Sequence, residues 1–305
     1  MEFTSFTGLI KKEIEKRLGI GYRVRLNKVT KNNNIVLTGL TIMQEDKNLS
    51  PTIYLNNYYE KYVNGDVTIS SIVDDVMNTY HKNKVGQSVD MRYFLNFETV
   101  KSHIVYKVVN MEKNKELLED IPHKEFMDLC IVFQCIVSQE EFGTASILIH
   151  NVHLRLWDVT LEELHRTAEK NTPRLMQYEI KPMAEVLCDI MQSENPDQYD
   201  HDECMADFAD SVPMYVLSNK RRVEGASCML YPNILHDFAD TINSNFYIIP
   251  SSIHELLLLP TENDEGSAEI KSMIREINDT QVSEEEILSY SLYYYNREAG
   301  EIVNL

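Results

Sequence analysis

The order strand, tight turn, strand, helix comes three times in this chain, at residues 22–63, 127–170 and 213–243. Each passage reads as an antiparallel hairpin that must bury one face, and the helix after it supplies the cover. Residue identities differ among the three passages, so a pattern recurs without an internal sequence repeat. Towards the C-terminus the order becomes hairpin, helix, strand, strand, helix, strand, which does not suit a doubly wound parallel sheet. The expected fold class is α+β, with antiparallel β-hairpins and sheets, helices packed on one face, and two or more subdomains.

Individual elements rest on periodicity and turn chemistry. Phe6, Ile10, Ile14 and Leu18 recur every four residues with charges between them, which predicts a helix over 4–18. Tyr22–Thr30 alternates, Asn32-Asn33-Asn34 suits a turn because Asn tolerates the left-handed region, and Ile35–Met43 returns as a strand. A helix is expected over 70–81, a strand over 127–137 that turns at Glu140-Glu141-Phe142-Gly143 and returns over 145–149, and a capping box at Thr160 and Glu163 opens another helix. Pro182 opens a further helix, Met214–Leu217 and Ala226–Leu230 read as strands, and helices are expected over 233–242 and 268–277.

Charge divides the 305 residues unevenly. Residues 1–128 hold 18 Lys and Arg against 17 Asp and Glu, net +1; residues 129–305 hold 11 against 31, net −20, for the total of −19. The expected organisation is an N-terminal α+β subdomain over 1–90, a helical connector over 91–125, and an acidic α+β domain over 126–305 with an internal division near 194–212. So acidic a chain offers phosphates no general attraction, so nucleic acid is not an expected partner. The acidic C-terminal half suits a basic protein partner. No run of about 18 apolar residues occurs, so no membrane span is expected. The first residues, MEFTSFTGLIKKEIEKRLG, have neither a basic n-region nor an apolar h-region. With five widely spaced cysteines (Cys130, Cys135, Cys188, Cys204, Cys228), this leads to an expectation of reduced thiols and a cytoplasmic location.

Phosphate-loop, dinucleotide, nucleophile-elbow and zinc-protease motifs are absent from the sequence, and no cofactor is expected. Pro250-Ser251-Ser252-Ile253-His254-Glu255 lies between two apolar strands and holds a hydroxyl, an imidazole and a carboxylate. Ser252, His254 and Glu255 are the catalytic candidates, with Ser252 or water as nucleophile and His254 as base. Glu255 would point away from His254 on an extended chain, so a remote carboxylate would have to orient the ring. The alternative is a kinked strand connection whose polar groups satisfy the backbone. Lys220-Arg221-Arg222 on a hairpin tip is the candidate anion site. The stretch 194–210 reads as a loop and carries seven carboxylates; Asp200, Asp202 and Glu203 are its hard-ion candidates, but it lacks the central Gly and regular alternation of a calcium loop. Cys188, His201 and Cys204 fit no zinc spacing, and no metal is expected. These features favour a non-enzymatic binding or regulatory module. The competing reading is a hydrolase-like enzyme centred on Ser252 and His254.

Several strings carry a resemblance: KNKELLEDIPH (113–123), Glu141-Phe142-Gly143, ILIHN (147–151), NTPRL (171–175), YVLSNKRR (215–222), Gly225-Ala226, CMLYP (228–232) and FYIIPSSIHELLL (246–258). Through them nearly the whole chain resembles domain-of-unknown-function family 5688, a family of bacterial proteins. Thr52–Tyr62 and the C-terminal segment are more distantly similar to a second uncharacterised bacterial family. The resemblance implies a bacterial cytosolic protein and brings no activity, cofactor or catalytic residue with it.

Overall fold

The computed structural model describes residues 1–45, 47, 50–83, 91–140, 143–194, 201–208, 212–262 and 266–305. The chain divides into two compact units, Met1–Phe94 and Leu95–Leu305. All three sheets among the described residues are antiparallel, and the fold is α+β.

The first unit runs α1 (Phe3–Leu18), β1 (Tyr22–Thr30), β2 (Val36–Gln44), β3 (Thr52–Tyr54), α2 (Asn56–Val63) and α3 (Ile69–Asn83). Its sheet has the order β1-β2-β3. Phe6, Ile10 and Ile14 of α1 are buried with Ile72, Val73 and Val76 of α3 against Val24, Leu40, Ile42 and Ile53. The four-residue spacing of α1 is thus the spacing of its buried stripe. Gly19 at φ 69° ends α1, and Asn33 and Asn34 at φ 58° and 61° turn the chain between β1 and β2.

The second unit begins with α4 (Phe97–Val100), β4 (Ile104–Asn110), α5 (Lys115–Leu118), β5 (His123–Phe126), β6 (Leu129–Glu140) and β7 (Gly143–Leu148). These four strands form one sheet, with β6 pairing β4, β5 and β7. After α6 (Asn151–Trp157), the helix α7 (Leu161–Leu175) starts at Thr160, whose hydroxyl accepts the Glu163 N–H at 3.2 Å. The chain continues through β8 (Tyr178–Pro182), α8 (Met183–Glu194), α9 (His201–Asp207) and β9 (Tyr215–Asn219). A 3-10 turn over Gly225–Leu230 leads to α10 (Ile234–Ile242), β10 (Asn245–Ile249), β11 (Leu256–Thr261), α11 (Ser267–Thr280), β12 (Tyr293–Asn296) and β13 (Glu301–Asn304). The second sheet of this unit has the order β13-β12-β10-β11-β9-β8. Phe238 of α10 packs edge-on against Phe246, whereas Ile274 of α11 lies with Tyr247 and Ile249. Phe246 and Tyr247 are adjacent in β10, so α10 and α11 cover opposite faces of the six-stranded sheet. Asp128 joins the two sheets by accepting the hydroxyls of Ser289 (2.5 Å), Ser291 (3.1 Å) and Tyr293 (2.5 Å).

Four expectations are corrected. Residues 91–125 are no helical connector, because Ile104, Val105, Tyr106, Val108 and Val109 are all buried and make β4 a buried strand at the end of its sheet, flanked by short helical turns. Ala226–Leu230 is a buried 3-10 turn and not a strand, since Gly225 is pressed against neighbouring backbone. Part of the acidic stretch 194–210 is helical, as α9; residues 195–200, 209 and 210 lie outside the described residues, as do Glu141 and Phe142 of the expected hairpin turn. The fourth concerns thiols: Cys188 of α8 and Cys204 of α9 form a disulfide, and Cys130, Cys135 and Cys228 are free and buried. Burial pushes the three free thiols up to about 11, 12 and 12 respectively. Denatured, unreduced protein should therefore titrate three thiols, and five after reduction. Five before reduction would remove the crosslink and restore the fully reduced state expected of a cytosolic chain.

Candidate functional site

A group of chemistry-bearing side chains forms around Glu224. Val105 of β4 lies opposite Gln134 of β6, and Lys107 opposite Val132, so Lys107 and Gln134 are diagonal neighbours on one face of that sheet. Glu224 reaches this face from the loop after β9. Its Oε1 accepts Lys107 Nζ at 2.6 Å, its Oε2 accepts Gln134 Nε2, and Ser146 Oγ donates to Gln134 Oε1 at 3.0 Å. Burial alone would raise the Glu224 carboxyl. The Lys107 ammonium, the hydrogen bonds from Lys107 and Gln134, and the field of His254 outweigh it, and its pKa lies below the ordinary 4.5.

The loop that delivers Glu224 is tightly built. The Asn219 side chain accepts the Arg221 N–H at 3.0 Å and donates to the Val223 carbonyl at 2.7 Å. Arg222 and Glu224 both hold left-handed backbone, at φ 53° and 54°, a conformation that L-residues keep only where their surroundings enforce it. At Gly225 a Cβ would overlap Ser218 Oγ and the His254 carbonyl and come within 2.7 Å of Asn219 N. Only glycine permits this approach.

His254 belongs to the same centre. Its Nδ1 accepts the Glu224 backbone N–H at 3.2 Å, and its Nε2 lies 3.6 Å from Glu286 Oε1. Glu286 fills the place of the remote carboxylate that the enzyme reading required. Nδ1 is thereby hydrogen-bonded, and Nε2 faces Glu286 from beyond hydrogen-bond distance. The Ser252 hydroxyl, in a residue 6% exposed, accepts the His254 backbone N–H at 3.0 Å, and no contact joins it to the imidazole. Glu255 is half-buried at the entrance to β11. The three catalytic candidates are neighbours in space but do not form a nucleophile–base pair.

The other candidates lie apart from one another. Lys220, Arg221 and Arg222 are exposed on the turn after β9, with Lys220 Nζ donating to Gln177 Oε1 at 3.0 Å. Asp202 is exposed on α9, Glu203 is in the same helix, and Asp200 is outside the described residues. Among the described residues, no group of three or more His, Cys, Asp or Glu is placed to hold a metal ion. No helix there is long and apolar enough to cross a membrane.

A second feature has no counterpart in the sequence reading. Between α10 and the edge of the six-stranded sheet runs a groove of about 590 Å³, lined by Tyr178, Ile180 and Pro182 of β8 and by Tyr215, Phe238 and Thr241 among others. Tyr178 is 45% exposed. The carboxylate of Asp237 also lines the groove and is 74% exposed. The signal was present in Tyr-x-Ile-x-Pro over 178–182, an apolar alternation closed by proline, which is how an edge strand reads.

A family model described as a family of unknown function, DUF5688, matches residues 3–297. The chain belongs to DUF5688. No curated protein and no solved structure matches it. This DUF5688 chain thus offers two features on which a function can rest, the hydrogen-bonded Glu224 centre and the open groove.

Proposed function

We propose that this DUF5688 chain is a non-enzymatic binding or regulatory module of a bacterial cytoplasm, and that it meets a protein partner through the groove beside β8. The groove carries the reading: it is an open apolar surface with an exposed carboxylate at its wall, in the half of the chain with net charge −20. The Glu224 centre supports the same reading from the other side. Its carboxylate is bonded to Lys107 and Gln134, and Nδ1 of His254 to the Glu224 backbone, as in a clamp between two sheets.

The test places a photo-crosslinking benzoylphenylalanine at the exposed Thr241, and separately at Glu276 on α11 as a control, in the native host. Position 241 should yield a discrete crosslinked partner that position 276 does not, and Ile180→Lys in the same chain should abolish it. Equal labelling from both positions, or none from 241, would sink the proposal.

A further inference from the structure

The outer edge of β8 has backbone groups to offer. Two bonds flank the β8–β9 ladder, Lys220 N–H to the Gln177 carbonyl at 2.9 Å and Met183 N–H to the Met214 carbonyl at 2.8 Å. With the register Tyr178↔Asn219 through Pro182↔Tyr215, they fix the parity: odd-numbered residues bond to β9 and even-numbered ones face away. The N–H and C=O of Tyr178 and Ile180 therefore point outward from the sheet edge, where β8 has no neighbouring strand among the described residues, while the Pro182 carbonyl opens α8. The side chains of the same three residues form the groove wall. Backbone pairing groups and an apolar wall on the same residues are what an added strand needs.

We propose that β8 takes up an extended, basic segment of another protein as an additional antiparallel or parallel strand, with alternate apolar side chains in the groove and a Lys or Arg against Asp237. The proposal rests on the groove being the binding surface and adds what fills it. A second copy of the chain fits less well. Each copy carries −19, and antiparallel self-pairing about Ile180 would set Pro182, which has no N–H, opposite Tyr178. A helical segment could occupy the groove but would leave the outward N–H and C=O groups unused.

The experiment pans a random twelve-residue peptide library, displayed on phage, against the immobilised full chain. Enriched peptides should show apolar residues at every second position and a Lys or Arg near one end. Asp237→Lys, on an exposed side chain, should weaken them at least fivefold, and Ile180→Lys should abolish binding while circular dichroism stays unchanged. If Ile180→Lys does not fold, Asp237→Lys decides alone. The best peptide is then synthesised with single N-methyl groups along its backbone. Methylation at alternate amides should weaken it more than tenfold and leave the intervening positions within twofold. Peptides that depend on Asp237 but tolerate every N-methyl group alike, or that repeat every three to four residues, would overturn the added strand and leave the groove as the binding surface. No enrichment, or enrichment indifferent to both substitutions, would overturn the strand and the groove together.

Discussion

Replacing Gly225 by alanine is expected to destabilise the second unit by about 3 kcal/mol, near the upper end of what one methyl group forced into a packed site costs. The added Cβ would overlap Ser218 Oγ and the His254 carbonyl and come within 2.7 Å of Asn219 N. Two of these are backbone atoms, held by β9 on one side and by the connection into β11 on the other. Neither can rotate away as the end of a flexible side chain would. Relief would have to come from moving the loop, which breaks the bond from Glu224 N to His254 Nδ1 and shifts Glu224 from Lys107. Gly8 supplies the opposite control, since a Cβ there meets nothing within 4 Å on the exposed side of α1. Gly8→Ala should stabilise the first unit by up to about 1 kcal/mol through helix propensity. Denaturant unfolding followed separately for the two units checks both. A Gly225→Ala protein with unchanged stability would mean that the three segments do not meet as described.

The difference between those two glycines shows what could be read from sequence. Local periodicity was legible because it is set within a few residues. The buried stripe Phe6, Ile10, Ile14, the strand Tyr22–Thr30, the Asn triplet and the Thr160 cap were all visible as spacing or turn chemistry. Where burial on both faces removes the alternation, as in Ile104–Val109, the pattern no longer separates strand from helix, and β4 was lost into an expected connector. Gly225 was one glycine among ten, and its meaning depends on His254 and Ser218, which reach it only in the fold. The candidate site divides the same way. His254 was noticed because Ser252 and Glu255 stand beside it, but its partners are Glu224 and Glu286, 30 and 32 residues away. Lys107 and Glu224 are 117 residues apart, and nothing in the sequence near either marks the other. The groove was missed because three apolar residues in a five-residue segment are too few to outweigh the helical pattern that follows Pro182.

Glu224→Ala is expected to cost about 3 kcal/mol, and the loss should depend on pH. The substitution removes the acceptor of both Lys107 Nζ and Gln134 Nε2. The Lys107 and Glu224 side chains are 23% and 19% exposed, so the remaining ammonium is left mostly out of water without a partner. Breaking a buried pair from one side costs about 3–5 kcal/mol, and the residual exposure sets the lower end of that range. Glu224→Gln keeps the shape and one carbonyl acceptor, so it should recover part of the loss. The sign of the pH dependence follows from the depressed carboxyl. A group whose folded pKa lies below its unfolded value, here 4.5, stabilises the fold above that value and stops doing so as pH falls through the folded pKa. The wild-type chain should therefore lose stability below about pH 4.5 through this residue, and the Gln variant, which has no proton to take up, should not. Unfolding free energies of the second unit at pH 7 and pH 3.5 give the comparison. The gap between wild type and Glu224→Gln should narrow at the lower pH; a gap of constant size would show that Lys107 and Glu224 do not meet as an ion pair, and the clamp between the two sheets would have to be sought elsewhere, first at Asp128 with Ser289, Ser291 and Tyr293.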